Sequence, residues 1–161
     1  SASIAQGDVV DVAFVPQVNE YRGERSVQMN ILDIRPSCAA PCPMDTFRYR
    51  ALRTGRLTPQ AAAKLLPDRA TLACVWRYLA AVPGGSLQES PLCLCRKIVR
   101  RSGTELSLEQ LLTCLDIFRD VGLLEEKRIH LTIAIRLRTV SGKADLTKSE
   151  TMQTLLRAKE S

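Results

Sequence analysis

Aromatic and imidazole side chains are scarce in this sequence. Its 161 residues include three Phe, three Tyr, one Trp and a single histidine, His130. With so few rings, a core must rest on Leu, Val, Ile and Ala. One imidazole leaves no general base that the spacing would pair with a Ser or Cys nucleophile. A glycine-rich phosphate loop is missing too, since Gly84-Gly85 reads as a turn between a helix and a strand. No window approaches the roughly 18 consecutive apolar residues of a membrane span. The start, Ser1-Ala2-Ser3, has neither Met nor the basic-then-apolar layout of a signal peptide. It reads as the beginning of a piece cut from a longer protein.

Metal chemistry is equally poorly provided for. Cysteines stand at 38, 42, 74, 93, 95 and 114. Cys38-x3-Cys42 and Cys93-x-Cys95 depart from the C-x2-C pairing of structural zinc sites, and no second histidine completes a set. Cys74 and Cys114 fall on apolar helical faces, where Cys acts as a small hydrophobe. Reduced thiols are expected, with no metal and no cofactor. His130, between Ile129 and Leu131 in a strand-like run, is expected at a rim rather than as a ligand.

What is abundant is positive charge in the middle. The chain carries 23 Lys and Arg against 17 Asp and Glu, a formal net charge of +6. Residues 1–45 are net acidic and 104–161 balanced. The span 46–103 holds Arg48, Arg50, Arg53, Arg56, Lys64, Arg69, Arg77, Arg96, Lys97, Arg100 and Arg101 against Asp68 and Glu89 alone. Such a stretch suits a polyanion partner; solvated helix faces account for it equally.

Gly7–Pro36 reads as a β-hairpin. Val10, Val12 and Phe14 alternate with Asp11 and Ala13, and Val27, Met29 and Ile31 with Ser26, Gln28 and Asn30. This period predicts one face on a core and one in water. The turn is expected over Asn19–Glu24, with Asn19 and Gly23 tolerating positive φ. Residues 37–57 read as a linker carrying a short helix, Phe47–Gly55, whose arginines spread around its axis.

From Thr58 the chain reads as mainly helical. Thr58-Pro59 opens a helix to about Leu66, and Asp68 caps one through Val82 with Leu72, Val75, Trp76, Leu79 and Val82 inward. Ser86–Glu89 is a short extended piece. Ser90-Pro91 opens a helix to Ser102, with Leu92, Cys95, Ile98 and Val99 inward and Arg96, Lys97, Arg100 and Arg101 as a compact outer patch. Ser107 and Gln110 form a capping box for the next helix. Its outer positions are expected to be Glu109, Thr113, Asp116, Arg119 and Asp120. Leu123–Ile135 is expected to turn at Glu126-Lys127-Arg128, and Ser149 caps a last helix docked by Met152, Leu155 and Leu156. Helix, short strand, helix, helix and hairpin form the order of a winged helix. The class is α+β: a hairpin (1–36), a linker (37–57) and a winged-helix-like domain (58–161).

Six segments carry a family resemblance. VDVAF, NEYRG and SVQMNILDIRP resemble the closing part of the oligonucleotide-binding barrel in RecJ-type single-strand-specific DNA exonucleases. LLPDRATLACVWRYL, LLTCLDIFRDVGLLEE and GKADLTKSETMQTLL resemble, in order, the C-terminal domain that some bacterial members append. The resemblance implies a 5'-3' exonuclease of DNA repair and recombination as parent, cytoplasmic and bacterial, cutting at a two-metal site (Mn or Mg) of Asp and His residues. That site belongs to N-terminal domains that this sequence does not include, so no catalytic residue carries over.

Two functions remain for these residues. The first is single-stranded DNA binding, with Tyr21, Arg22 and Arg25 at the hairpin tip and Arg96, Lys97, Arg100 and Arg101 on the basic helix. Carboxylates on the third helix argue against major-groove reading, which leaves the second helix or Lys127 and Arg128 as the contact. The second is a protein-docking module whose basic helix accepts an acidic peptide, such as the tail of single-strand-binding protein. An unpaired hairpin edge would also permit a homodimer.

Overall fold

The computed structural model of the chain describes residues 4, 6, 10–37 and 46–161, and the linker residues Cys38 to Asp45, with two of the cysteines, lie outside them. The chain divides into two compact units, Ser1–Ser37 and Cys38–Ser161.

The first unit is a two-stranded antiparallel hairpin, β1 (Val10–Tyr21) and β2 (Glu24–Pro36). The turn is tighter than the sequence suggests. Asn19 stays in β1 opposite Ser26, and Arg22 (φ 52°) and Gly23 (φ 81°) alone make the reversal. Two successive positive φ values give the turn twist that matches paired strands, and glycine takes one of them without steric cost.

A bulge between Ala13 and Phe14 shifts the register, so that Phe14 opposes Ile31 while Ala13 opposes Asp33. The extra residue, Leu32, restores the pattern. Val12 and Ile34 then share a face with Phe14, Ile31, Met29, Val18 and Val27, because directly opposed residues point the same way. The other face is polar, with Asn30 Nδ2 donating to Gln17 Oε1 at 2.7 Å and Ser37 Oγ to Asp11 Oδ1 at 2.8 Å. The alternation was expected to place one face on a core. Instead the apolar side chains are exposed, Val27 at 73% and Met29 at 63%. Two strands alone have no second layer to bury a face against.

The second unit is α+β. Helices α1 (Phe47–Arg53), α2 (Pro59–Leu65) and α3 (Arg69–Ala80) lead into strand β3 (Ser86–Glu89). Then follow α4 (Pro91–Ser102), α5 (Leu108–Asp120), β4 (Leu124–Ile129), β5 (Thr132–Leu137) and α6 (Glu150–Glu160). The sheet order is β3-β5-β4, antiparallel throughout.

Local chemistry sets the helix ends. Thr58, Asp68, Ser90 and Ser149 each accept a first-turn backbone N–H, and Ser107 with Gln110 completes the capping box. Gly103, at φ 66°, closes α4 in the left-handed conformation that glycine takes most readily. Around α5 lies the core: Leu111, Cys114, Leu115, Ile117 and Phe118 on it, Leu65, Val75, Leu79, Leu94, Ile98, Leu124, Ile133, Ile135 and Leu155 against it. Trp76 meets Phe118 edge to face at 5.3 Å between ring centroids.

Several inward assignments shift by one residue. In α4 it is Leu94, with Cys95 and Ile98, that is buried, while Leu92 and Val99 are half-buried. α3 ends at Ala80, two residues before the expected Val82. Leu156 is 42% exposed, so α6 docks through Leu155 with Met152 half-buried. β4 runs straight through Glu126, Lys127 and Arg128, the expected turn, and reverses at His130 and Leu131 instead. His130 takes φ 52° there, a turn position rather than a strand rim.

Asp120 pins α6. Its Oδ2 accepts Ser149 Oγ at 2.8 Å and Thr151 N at 2.9 Å. Partial burial pushes this carboxyl up, but the bonds from Thr151 and Ser149 and the Arg119 charge outweigh it and hold it below the usual range. A depressed carboxyl stabilises the fold above its unfolded pKa of about 3.9 and loses that contribution as pH falls through its folded value. Asp120→Asn is therefore expected to cost about 1 kcal/mol at pH 7. The gap to the parent should close as denaturation is repeated below about pH 4; a gap independent of pH would contradict this.

Candidate nucleic-acid interface

The third helix of the core, α5, is the one that a groove-reading domain would present, and here it is covered. Glu109, Thr113 and Asp116, expected on its outer side, are 2%, 0% and 1% exposed. The sequence reading is corrected on this point: α1, expected to lie in a linker with its arginines displayed, packs across that face. Arg48 N and Nε donate to Glu109 at 2.6 and 2.7 Å, and Tyr49 N reaches the same carboxylate at 3.3 Å. Glu109 thus caps α1 from another helix, which explains how Thr46 can precede α1 without a capping hydrogen bond.

A second set of bonds extends the clamp to the sheet. Tyr49 Oη donates to Asp116 Oδ2 at 2.7 Å and accepts from Arg128 at 2.7 Å. Arg128 also bonds Glu126 at 2.8 Å, and Arg119 lies 3.0 Å from Asp116 and 3.7 Å from Glu126. Arg53 stands 3.8 Å from Asp116. Burial, then the neighbouring Asp116, pushes the Tyr49 phenol up to about 12. Burial likewise raises the Asp116 carboxyl, only partly offset by the Tyr49 hydrogen bond and Arg119. Arg48, Arg53 and Arg128 are thus bound to buried acids, which corrects the expectation that the wing cation Arg128 is available to a ligand.

The basic patch on α4 sits where the sequence placed it. Arg96 is half-buried and Lys97, Arg100 and Arg101 are exposed. Spacings of three and four residues put them on adjoining rows of one helix. Lys97 is engaged by Glu89 of β3 at 2.5 Å, and that hydrogen bond raises its pKa. Arg101 lies over the ring of Tyr78 on α3, 5.8 Å from its centroid. The hairpin tip, in the other unit, shows Tyr21 72% exposed with Arg22 over its ring at 5.2 Å, and Arg25 beside Glu20 at 3.4 Å.

Two α3 residues join the patch: Arg77, which the sequence counted only within the basic span, and Tyr78, which it did not single out. Arg77 and Tyr78 on α3 face Arg101 and Ser102 on α4 across a groove of about 440 Å³ floored by Ala70, Cys74 and Ile98. Their signal was present: Ala70, Cys74 and Tyr78 recur at i, i+4 and i+8 on one side of α3. Burial holds the Cys95 thiol up at about 11 and raises Cys114 further, so both stay protonated at neutral pH. Among the described residues no three His, Cys, Asp or Glu side chains are grouped so as to hold a metal ion, and no helix is long and apolar enough to cross a membrane.

No family model, curated protein or solved structure matches the chain.

Proposed function

We propose that this chain is a non-catalytic C-terminal part of a RecJ-type 5'-3' single-stranded-DNA exonuclease, and that its second unit helps to hold the single strand. The observation that carries this is the cationic side of α3 and α4, which gathers Arg77, Arg96, Lys97, Arg100 and Arg101, with Glu89 engaging Lys97. The ordered segments resembling RecJ-type sequences support the parentage. The succession α3, β3, α4, α5, β4, β5 with sheet order β3-β5-β4 supports a winged-helix-like domain. Hairpin β1–β2 is read as the end of an oligonucleotide-binding barrel, whose remaining strands would cover its apolar face. In that setting Tyr21, Arg22 and Arg25 serve as a second contact, through stacking and charge. Cutting, with its Mn or Mg, falls to the parent's other domains in the bacterial cytoplasm.

Replacing Arg100 and Arg101 together with Glu tests the reading. Each phosphate contact on a single strand contributes about 0.7 to the slope of log affinity against log salt. The double variant should bind a fluorescent oligothymidine at least about tenfold more weakly at low salt, with a slope lower by about 1.4. Unchanged affinity and slope would reduce the patch to a solvated helix face.

A second reading follows from α1 covering α5. A domain whose usual reading helix is sealed is suited to protein docking, here recruitment of the nuclease by the acidic tail of single-strand-binding protein. That partner predicts milder salt dependence and loss of binding when the tail's last apolar residue is removed.

A further inference from the structure

We infer that the groove between α3 and α4 is a subsite for one phosphodiester of a single-stranded nucleic acid, held between Arg77 and Arg101. The inference rests on the nucleic-acid reading above and assigns it a place.

Three features converge there. The first is charge: among the described residues, the groove's lining holds two guanidinium groups, Arg77 and Arg101, and no carboxylate. The second is preorganisation. Arg77 Nε is tied to Ala73 O at 3.2 Å, and the Tyr78 ring lies under the Arg101 guanidinium at 5.8 Å. Both long side chains therefore lose less freedom when an anion arrives. Arginine forks also match phosphate oxygens better than lysine does. The third is the wall. Both sides are helices, whose backbone groups are committed to their own ladders. A peptide laid in the groove gains no main-chain hydrogen bonds, whereas a phosphodiester needs only the cations, with the apolar floor left for the edge of a sugar or base.

A contrasting hollow lies on the outer face of the sheet. Its lining sets Glu125 beside Lys127 and Arg136, and that carboxylate would repel the same ligand.

The test uses the whole chain and a fluorescent oligothymidine titrated at several salt concentrations. Arg77→Gln and Arg101→Gln should each lower affinity severalfold and reduce the salt slope by about 0.7. Tyr78→Phe should bind like the parent, because the ring remains beneath Arg101. Tyr78→Ala should weaken binding without changing the slope, since both cations persist. Arg136→Gln on the outer sheet face should do neither. Parent binding that survives both arginine variants with an unaltered slope overturns the subsite and leaves the wider reading standing. No binding by the parent at low salt overturns the reading and the subsite together. An Asp-rich peptide that loses affinity in both arginine variants, while the oligonucleotide does not, makes the groove a peptide site and also overturns the inference.

Discussion

Glu109→Ala is expected to lower the stability of the second unit by about 3 kcal/mol, read as a shift in the chemical denaturation midpoint with little change in slope. The carboxylate is almost fully buried and accepts from Arg48 N, Arg48 Nε and Tyr49 N. Removing it strands two backbone donors at the start of α1 and a guanidinium that had been paired. Losing one member of a buried ion pair usually costs about 3–5 kcal/mol. The low end applies because the Arg48 side chain is 39% exposed and can turn to water. Glu109→Gln keeps an oxygen for the backbone donors and gives up only the charge, so about 1 kcal/mol is expected. Equal losses in the two variants would mean that the charge, rather than the capping, holds α1.

Tyr49→Phe should cost about 2 kcal/mol, the range for hydrogen bonds to charged partners. The ring stays in the core, but the hydroxyl that bridges Asp116 and Arg128 disappears. Asp116→Asn provides the contrast. Asparagine still offers an oxygen to Tyr49, and burial already disfavours the charged form of Asp116, so a change within about 1 kcal/mol is expected at pH 7. Its sign follows from linkage. A carboxyl whose folded pKa is raised contributes its stability below the unfolded value and loses it as pH rises through the folded one. The Asn variant should therefore gain on the parent as pH climbs from about 3.9. A variant that loses ground over that interval would show that the surrounding arginines outweigh burial.

The helices and strands were legible because their signals are local. Ser90-Pro91, Ser107 with Gln110, and Gly103 each mark a boundary through chemistry within four residues, and the structure ends the elements there. The outer side of α5 was not legible. Glu109 and Asp116 read as solvent-facing because carboxylates are rarely buried unless paired, and their partners come from 61 and 67 residues away in sequence. The turn at His130 and Leu131 was missed for a related reason. Glu126-Lys127-Arg128 has the polarity of a turn, but Glu126 and Arg128 point to the inner face, where Arg128 bonds Glu126 and Tyr49 and Arg119 stands 3.7 Å from the other Glu126 oxygen. The α4 patch was legible from helical spacing alone. The groove beside it needed α3 to be set against α4.

The most direct test of where a nucleic acid lies on this fold is an amide chemical-shift map of the whole chain, titrated with unlabelled oligothymidine at low salt. Shifts concentrated at Arg77, Tyr78 and residues 96–104, with α5 and its α1 cover silent, are the predicted result. Shifts concentrated on α1 and α5, or none at all, would contradict it.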